Sequence, residues 1–252
     1  MTLRSSALAL IAASVLTVPA LAQPMPQDAA SAAAPGQIDF TYNRSRPTAA
    51  PADKTPLQAK GVRLRDMILK VPALADPRGF ALHASVVLDR PVASRAGDPD
   101  QVWGSLISRR INVTRGKPDA QGRYPGDGEG PALIYTINKP EAAFGFIDDA
   151  GLFELPQPRQ ARDGVLRFSR AGRDYVVITP PGVPAYLPAG DGSAKGRLNP
   201  ALASGSGAAT QARVITLGVL QRGRIGDDQE RQRLLAAASQ IDIAAVQALL
   251  RD

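Results

Sequence analysis

Three carboxylates, Asp148, Asp149 and Glu154, are the residues in this sequence whose type and spacing most readily suit chemistry. They surround an Asp-Asp-Ala-Gly turn between two short apolar stretches. Two carboxylates held roughly 5–9 Å apart can act as the acid and base of glycoside hydrolysis. Adjacent aspartates are also ordinary turn formers that face water. A carboxylate-dependent hydrolase of glycan or peptidoglycan therefore stays open as an alternative function.

The chain has one histidine, His83, and no cysteine. The absence of cysteine excludes disulfides, thiolate nucleophiles and cysteine-bound metals, and one histidine excludes an H-E-x-x-H zinc site. Catalysis of the Ser-His-Asp type is not supported either, since no G-x-S-x-G or S-x-x-K pattern occurs. We interpret His83 as a strand histidine, and we expect no metal, no cofactor and, on balance, no enzyme.

The glycine-rich segment 126–130 (GDGEG) carries Asp127 and Glu129. A dinucleotide-binding loop needs a strand before its glycines and a helix after them, whereas Pro131 and a predicted strand follow here. Carboxylate oxygens on such a loop would suit calcium, but a surface turn between strands is the simpler interpretation.

Four residues are candidates for ligand binding, namely Trp103, Arg109, Arg110 and Tyr186. Arginine forks bind carboxylates and phosphates, and an exposed tryptophan can stack on a sugar. Tyr186 belongs to a proline-rich run, 180–188, that follows a predicted strand. That run could dock on a partner, form the lip of a groove, or serve as a rigid connection along a sheet.

The formal charge is +7 and the isoelectric point is about 10.0. The cations are scattered, acids lie among them, and no run of five like charges occurs. This distribution does not favour nucleic-acid binding. A solvated basic surface is the simplest interpretation, and an anionic envelope glycan or another envelope protein is the partner that we consider beside it.

Residues 1–22 have the pattern of a signal peptide. Arg4 precedes an apolar stretch, 7–18, and Ala20-Leu21-Ala22 gives a small-x-small cleavage site before Gln23. The apolar stretch is shorter than the ~20 residues needed to span a bilayer. We therefore expect cleavage near Ala22/Gln23, a bacterial periplasmic or secreted location, and no transmembrane span in the mature chain.

The remaining chain divides by composition. Residues 23–60 are rich in proline and alanine and predict a flexible leader, apart from a candidate edge strand at 38–42. Residues 61–252 predict one β-rich domain. A stretch rich in glycine, alanine and serine, 188–212, predicts a disordered or flexible insert within it.

Alternation of apolar and polar residues predicts most of the strands. The predicted strands are 62–65, 67–71, 80–90, 132–138, 142–147, 152–155, 165–170, 175–179 and 213–221. Asp98-Pro99-Asp100 favours a helix start, although a strand over 106–113 is nearly as good. Asp227 and Glu230 begin a C-terminal amphipathic helix over 228–250, either continuous or divided by a cap at Asp242.

These patterns predict a mainly β fold, a sandwich or open barrel, with a C-terminal amphipathic helix; an α+β fold is the alternative. The function that we favour is an exported, non-catalytic binding or envelope-associated protein. The alternatives are the carboxylate-dependent hydrolase and a periplasmic chaperone or assembly factor that offers an exposed sheet edge.

Overall fold

A computed structural model describes residues 27–42, 56–89, 100–145, 147–203, 211–220 and 228–251. The strands are β1 (Ile38–Tyr42), β2 (Phe80–Asp89), β3 (Gln101–Arg110), β4 (Ala132–Ile137), β5 (Leu152–Glu154), β6 (Pro158–Arg162), β7 (Val165–Arg170), β8 (Arg173–Ile178), β9 (Tyr186–Pro188), β10 (Lys195–Leu198) and β11 (Ile215–Leu220). The helices are α1 (Ala29–Ala33), α2 (Pro56–Leu69), α3 (Pro72–Ala75), α4 (Glu141–Phe144), α5 (Pro200–Ala203), α6 (Asp228–Gln240) and α7 (Ile243–Ala248).

One large sheet organises the structure, with strand order β1-β2-β3-β4-β11-β8-β7-β6. Its pairs are antiparallel except that β1 runs parallel to β2. Strand β11 lies in the middle, where Ile215 is opposite Ile137 on one side and Ile178 on the other. A second, three-stranded sheet has the order β5-β10-β9.

Alternation along the strands gives the large sheet one strongly apolar face. Phe80, Leu82, Ala84 and Val86 of β2 all point to it and are buried, as the sequence predicted. Helices α2, α3, α6 and α7 cover this face, and their apolar residues join the same core. The main core therefore lies between the sheet and a layer of helices.

A smaller core covers part of the opposite face. Leu166, Phe168 and Val177 of β7 and β8 pack there against Phe144 of α4 and Phe153 of β5. The rings of Phe144 and Phe153 stack with their centroids 4.6 Å apart. The three-stranded sheet is thereby held against one end of the large sheet.

The predicted fold class is confirmed, in its β-rich α+β form. Helices, rather than a second extended sheet, cover the apolar face of the large sheet. The C-terminal part is helical, as expected, and it is divided: the carboxylate of Asp242 accepts a hydrogen bond from the Ala245 amide at 3.1 Å. Asp227 lies outside the described residues.

Four predicted elements were wrong. Residues 62–65 and 67–71 are not strands but parts of α2 and its end, because Leu57, Leu64 and Ile68 recur at helical spacing and are fully buried. Residues 142–147 begin with the short helix α4. The helix predicted after residue 98 is strand β3, which pairs with β2 along its whole length.

The segments predicted to be flexible contain helices and strands in the parts that the structure describes. Within 23–60, residues 27–42 contain α1 and β1, and α2 begins at Pro56. Within 188–212 lie the end of β9, strand β10 and helix α5. The predicted signal peptide, 1–22, lies outside the described residues, and the proposed domain limits stay predictions. Nowhere in the described ranges is a helix long and apolar enough to cross a membrane.

Candidate functional site

The residues predicted to bind a ligand are not brought together. Trp103 and Arg109 lie six residues apart on one face of β3, which at ~3.4 Å per residue separates them by about 20 Å. Arg110 points to the opposite, helix-covered face, where its Nε lies 3.1 Å from a carboxylate oxygen of Glu230. Tyr186 lies at the other end of the molecule, against the smaller core.

In the turn formed by residues 148–151, the Asp148 carboxylate is used to hold the turn itself. Asp148 accepts hydrogen bonds from the amides of Leu152 at 2.8 Å and Ala150 at 3.1 Å, and its second oxygen lies 3.2 Å from Lys195 Nζ. The Leu152 amide, with help from Lys195, holds the pKa of Asp148 below its usual value. A general acid at neutral pH needs a raised pKa. Asp149 and Glu154 are exposed.

His83 is a hydrogen-bonded strand residue. It is half-buried on β2, and its Nε2 lies 3.2 Å from the Thr41 hydroxyl of β1. Two residues further along β2, the hydroxyls of Ser85 and Ser105 are 2.8 Å apart. These contacts join the first three strands on the face of the sheet opposite the helices.

The glycine-rich segment lies at the surface. Asp127 is exposed and forms an ion pair with Arg115 at 3.6 Å. Across the ranges that the structure describes, no group of three or more acidic or histidine side chains is arranged to hold a metal ion.

A cavity of ≈ 520 Å³ lies between the end of the large sheet and the proline-rich segment. Its lining residues come from β6, β7, β8, the β6–β7 turn and the segment 182–186. They are Ala161, Arg162, Asp163, Gly164, Val165, Leu166, Val177, Thr179, Gly182, Val183, Pro184, Ala185 and Tyr186. The volume is within the range of small-molecule sites.

The apolar part of the cavity is built from the sheet and the proline-rich segment. Leu166 and Val177 are buried neighbours on β7 and β8, and Ala185 is buried opposite them in the smaller core. Tyr186 meets the rings of Phe144 and Phe153 edge-on, at interplanar angles of 82° and 88°. Aromatic packing of this kind fixes the ring of Tyr186 before any ligand arrives.

Hydrogen bonds hold the two sides of the cavity together. The Thr179 amide donates to the Gly164 carbonyl at 2.8 Å, and the Thr179 hydroxyl donates to the Val183 carbonyl at 2.5 Å. From α7, the Gln247 amide donates to the carbonyls of Asp163 and Thr179 at 2.8 and 3.1 Å. Positive φ at Asp163 (51°) and Gly164 (77°) closes a two-residue turn of the hairpin type.

The rim of the cavity is polar and basic. Arg162 and Asp163 form an ion pair at 3.0 Å, with both side chains largely exposed. Beside them runs β6, the last strand of the large sheet, which among the described residues pairs only with β7. The site therefore combines an apolar cavity, an arginine at its mouth and an adjacent sheet edge.

Sequence reasoning found one part of this site and missed the rest. The proline-rich run and Tyr186 were candidates for the lip of a groove, and both line the cavity. Strand β6 was not predicted, because Pro-Arg-Gln-Ala-Arg has neither apolar alternation nor strand propensity. Its only local signal was the Asp163-Gly164 pair before an apolar stretch, which favours a hairpin turn.

The chain matches no family model, no curated protein and no solved structure.

Proposed function

We propose that this protein is an exported, non-catalytic binding protein, and that it binds an apolar group of its ligand in the cavity beneath the proline-rich segment. The observation that carries the proposal is the cavity itself, about 520 Å³ in volume and walled by Leu166, Val177, Ala185 and Tyr186. A preformed, mostly apolar cavity with a few polar groups at its mouth is the usual form of a ligand site.

The composition of the walls favours another envelope protein over a glycan as the ligand. A sugar-binding site needs a row of hydrogen-bonding groups for hydroxyls. Here the Thr179 hydroxyl is already used within the cavity wall, and the inner surface is apolar. A side chain from a protein partner fits this surface better than a polysaccharide does.

A non-catalytic role is supported by the described side chains. Asp148 has a lowered pKa and is used in its turn, and His83 is bound to Thr41. Neither residue lines the cavity. The hydrolase alternative therefore has no support from the geometry of the carboxylates around residue 148.

Binding in the cavity can be tested with 4-phenylbutyrate, which combines a phenyl ring with a carboxylate. We expect it to shift the methyl NMR signals of Leu166 and Val177 in the folded protein. Ala161→Trp should abolish these shifts, because Ala161 lines the mouth and is exposed, so that the indole fills the cavity without entering the core.

The matched control is Gln160→Trp. Gln160 is the exposed neighbour on β6 whose side chain points to the opposite face of the strand. It should leave the shifts unchanged. Shifts that persist in Ala161→Trp, or that map to residues far from β7 and β8, contradict the proposal.

Export is the second part of the proposal and rests on the residues before Gln23. It is tested by mass analysis of the protein secreted from a Gram-negative host. The expected N-terminus is Gln23, and a mature product that still carries Met1 contradicts export.

A further inference from the structure

We propose that the edge of β6 captures an extended acidic peptide as a ninth strand of the large sheet, and that one apolar side chain of this peptide enters the cavity. This inference rests on the proposed binding function and names the class of its ligand. It joins two features that lie side by side: the edge of β6, with which no other described strand pairs, and the cavity that Ala161 of the same strand lines.

The backbone of β6 has groups available for such a strand. Arg162 and Val165 flank the two-residue turn, so in an antiparallel hairpin they exchange both hydrogen bonds with each other. The next pair, Ala161 and Leu166, is then a non-hydrogen-bonded pair. The amide and carbonyl of Ala161 therefore point away from β7, toward the free edge.

The side-chain alternation of an added strand matches the site. By alternation along β6, Ala161 and its neighbour Leu166 point to the cavity, and Gln160 and Arg162 point to the other face of the sheet, although Arg162, at the end of the strand, also borders the rim of the cavity. Alternate residues of an added peptide would do the same. Apolar residues of the peptide would point to the cavity, and the residues between them would lie on the side of Arg162.

The basic charge at the edge of β6 favours acidic residues at the peptide positions between the apolar ones. Arg162 of β6 and Arg167 of β7 lie on the same face of the sheet, and neither strand contains an acidic residue. Asp163, in the β6–β7 turn, forms an exposed ion pair with Arg162. An exposed pair of this kind contributes only about 0–1 kcal/mol, so Arg162 can readily exchange its partner for a carboxylate of the peptide.

Addition of a strand is a known mode of peptide recognition, in which backbone hydrogen bonds supply affinity and pockets for alternate side chains supply specificity. The edge is short, because a bulge between Pro158 and Gln160 interrupts its pairing with β7. The bulge confines strand addition to the part of β6 that borders the cavity.

The test uses the folded full-length mature chain and fluorescein-labelled acetyl-Glu-Val-Glu-Leu-Glu-Val-Glu-amide, with binding measured by fluorescence anisotropy. The same peptide with lysine in place of glutamate is the charge control. Tetragalacturonate, an anionic glycan, is the competitor that represents the other ligand class. We expect the glutamate peptide to bind, the lysine peptide not to bind, and tetragalacturonate not to displace the glutamate peptide.

Two variants test the edge. Ala161→Pro removes an outward amide, which an edge strand tolerates, and should weaken the glutamate peptide by at least about tenfold through lost backbone hydrogen bonds. Ala161→Ser keeps the amide and is the matched control. Arg162→Glu leaves the backbone intact and should also weaken binding of the glutamate peptide. It replaces Ala161→Pro as the test if that variant does not fold.

The outcomes separate this inference from the proposed function. It is supported if the unmodified protein binds the glutamate peptide, Ala161→Pro loses it and Ala161→Ser keeps it. It is overturned, with the cavity function left standing, if phenylbutyrate binds but the peptide does not, or if Ala161→Pro and Arg162→Glu bind the peptide normally. Equal binding of both peptides, or displacement by tetragalacturonate, also overturns it. Failure of both phenylbutyrate and peptide to bind overturns both proposals.

Discussion

Arg110 of β3 and Glu230 of α6 form an ion pair across the main core, with the arginine Nε 3.1 Å from the carboxylate. Glu230 is 1 % exposed, and Arg233 Nη1 lies 3.8 Å from its other oxygen. The guanidinium of Arg233 also lies 3.6 Å from the ring centroid of Phe80. Burial lowers the pKa of Arg233, while Glu230 opposes that shift and Arg110 adds to it. One buried carboxylate thus compensates two guanidinium groups.

We predict that Glu230→Gln lowers the free energy of unfolding by about 3–5 kcal/mol, because it leaves two cations near each other without their buried counter-charge. Urea denaturation followed by circular dichroism measures the change. Glu129→Gln removes an exposed carboxylate and is the control, with an expected change within about 0.5 kcal/mol. Equal stability of the two variants would contradict this account of Glu230.

Two glycines in strands, Gly104 and Gly218, lie beneath tyrosine rings. We predict that replacing them with alanine lowers stability by different amounts. The ring of Tyr135 is fully buried above Gly104, and its hydroxyl donates to the Ser85 carbonyl at 2.9 Å. A Cβ at Gly218 would lie 2.9 Å from the half-buried ring of Tyr175. Gly104→Ala should cost roughly 1–3 kcal/mol of stability by overpacking, and Gly218→Ala less, because its ring has room to move. Chemical denaturation measures the free energy of unfolding of both variants. A larger loss for Gly218→Ala than for Gly104→Ala would contradict the prediction.

Gln247 should couple the C-terminal helices to the candidate site. Its side-chain amide serves the carbonyls of Asp163 and Thr179, so Gln247→Ala leaves two carbonyl groups without that donor. We expect a loss of about 1–3 kcal/mol and faster amide exchange in the β6–β7 turn. Hydrogen-exchange mass spectrometry measures the second effect. Gln232→Ala, on the exposed side of α6, is the control, and equally fast exchange in that variant would argue against the coupling.

Asp148 should titrate below the ordinary aspartate value of 3.8 in the folded protein. Because its folded pKa is lowered, the turn gains stability above the unfolded pKa and loses it as the pH falls through the folded pKa. Carboxyl ¹³C NMR measures the midpoint. Lys195→Met should move the midpoint upward without restoring 3.8, since the Leu152 amide is the larger cause. Lys117→Met is the control, and a midpoint above 3.8 in the unmodified protein would contradict the prediction.

The fluorescence emission of Trp103 reports whether a ligand binds near β3. It is the only tryptophan, and it lies on β3, four strands away from β7 across the large sheet, or roughly 19 Å at ~4.8 Å per strand. Binding of 4-phenylbutyrate in the cavity should therefore leave its emission unchanged. A ligand that shifts the emission of Trp103 but not the methyl signals of Leu166 would instead locate binding on β3.

The strands that the sequence predicts best are those with one buried face. The alternation of β2 and the hairpin of β7 and β8 were readable because apolar residues recur at a period of two. Helix α2 also carries a local signal in the helical spacing of Leu57, Leu64 and Ile68, but the composition boundary at residue 60 divides it, and the short stretches 62–65 and 67–71 do not show that period.

The candidate site was predictable only in part, for a related reason. Tyr186 and the proline-rich segment are visible in one short stretch, but the cavity exists because β6 and β7, residues 161–166, come to lie beside residues 182–186. Pairing of segments distant in sequence is set by the fold as a whole and has no local signature. Arg109 and Arg110, adjacent in sequence, point to opposite faces of the sheet for a local reason, because successive side chains of a strand alternate.

The central position of β11 has a consequence for the order of folding. This strand follows the other ten described strands in the chain, yet it alone joins β4 to β8. Without it, β1–β4 and β6–β8 are two sets of strands that no other described strand joins. Non-local pairings of this kind form slowly, because loop closure precedes the contacts that reward it. A nascent chain that cannot complete its fold early stays suited to passage through a secretion channel, in keeping with the proposed export.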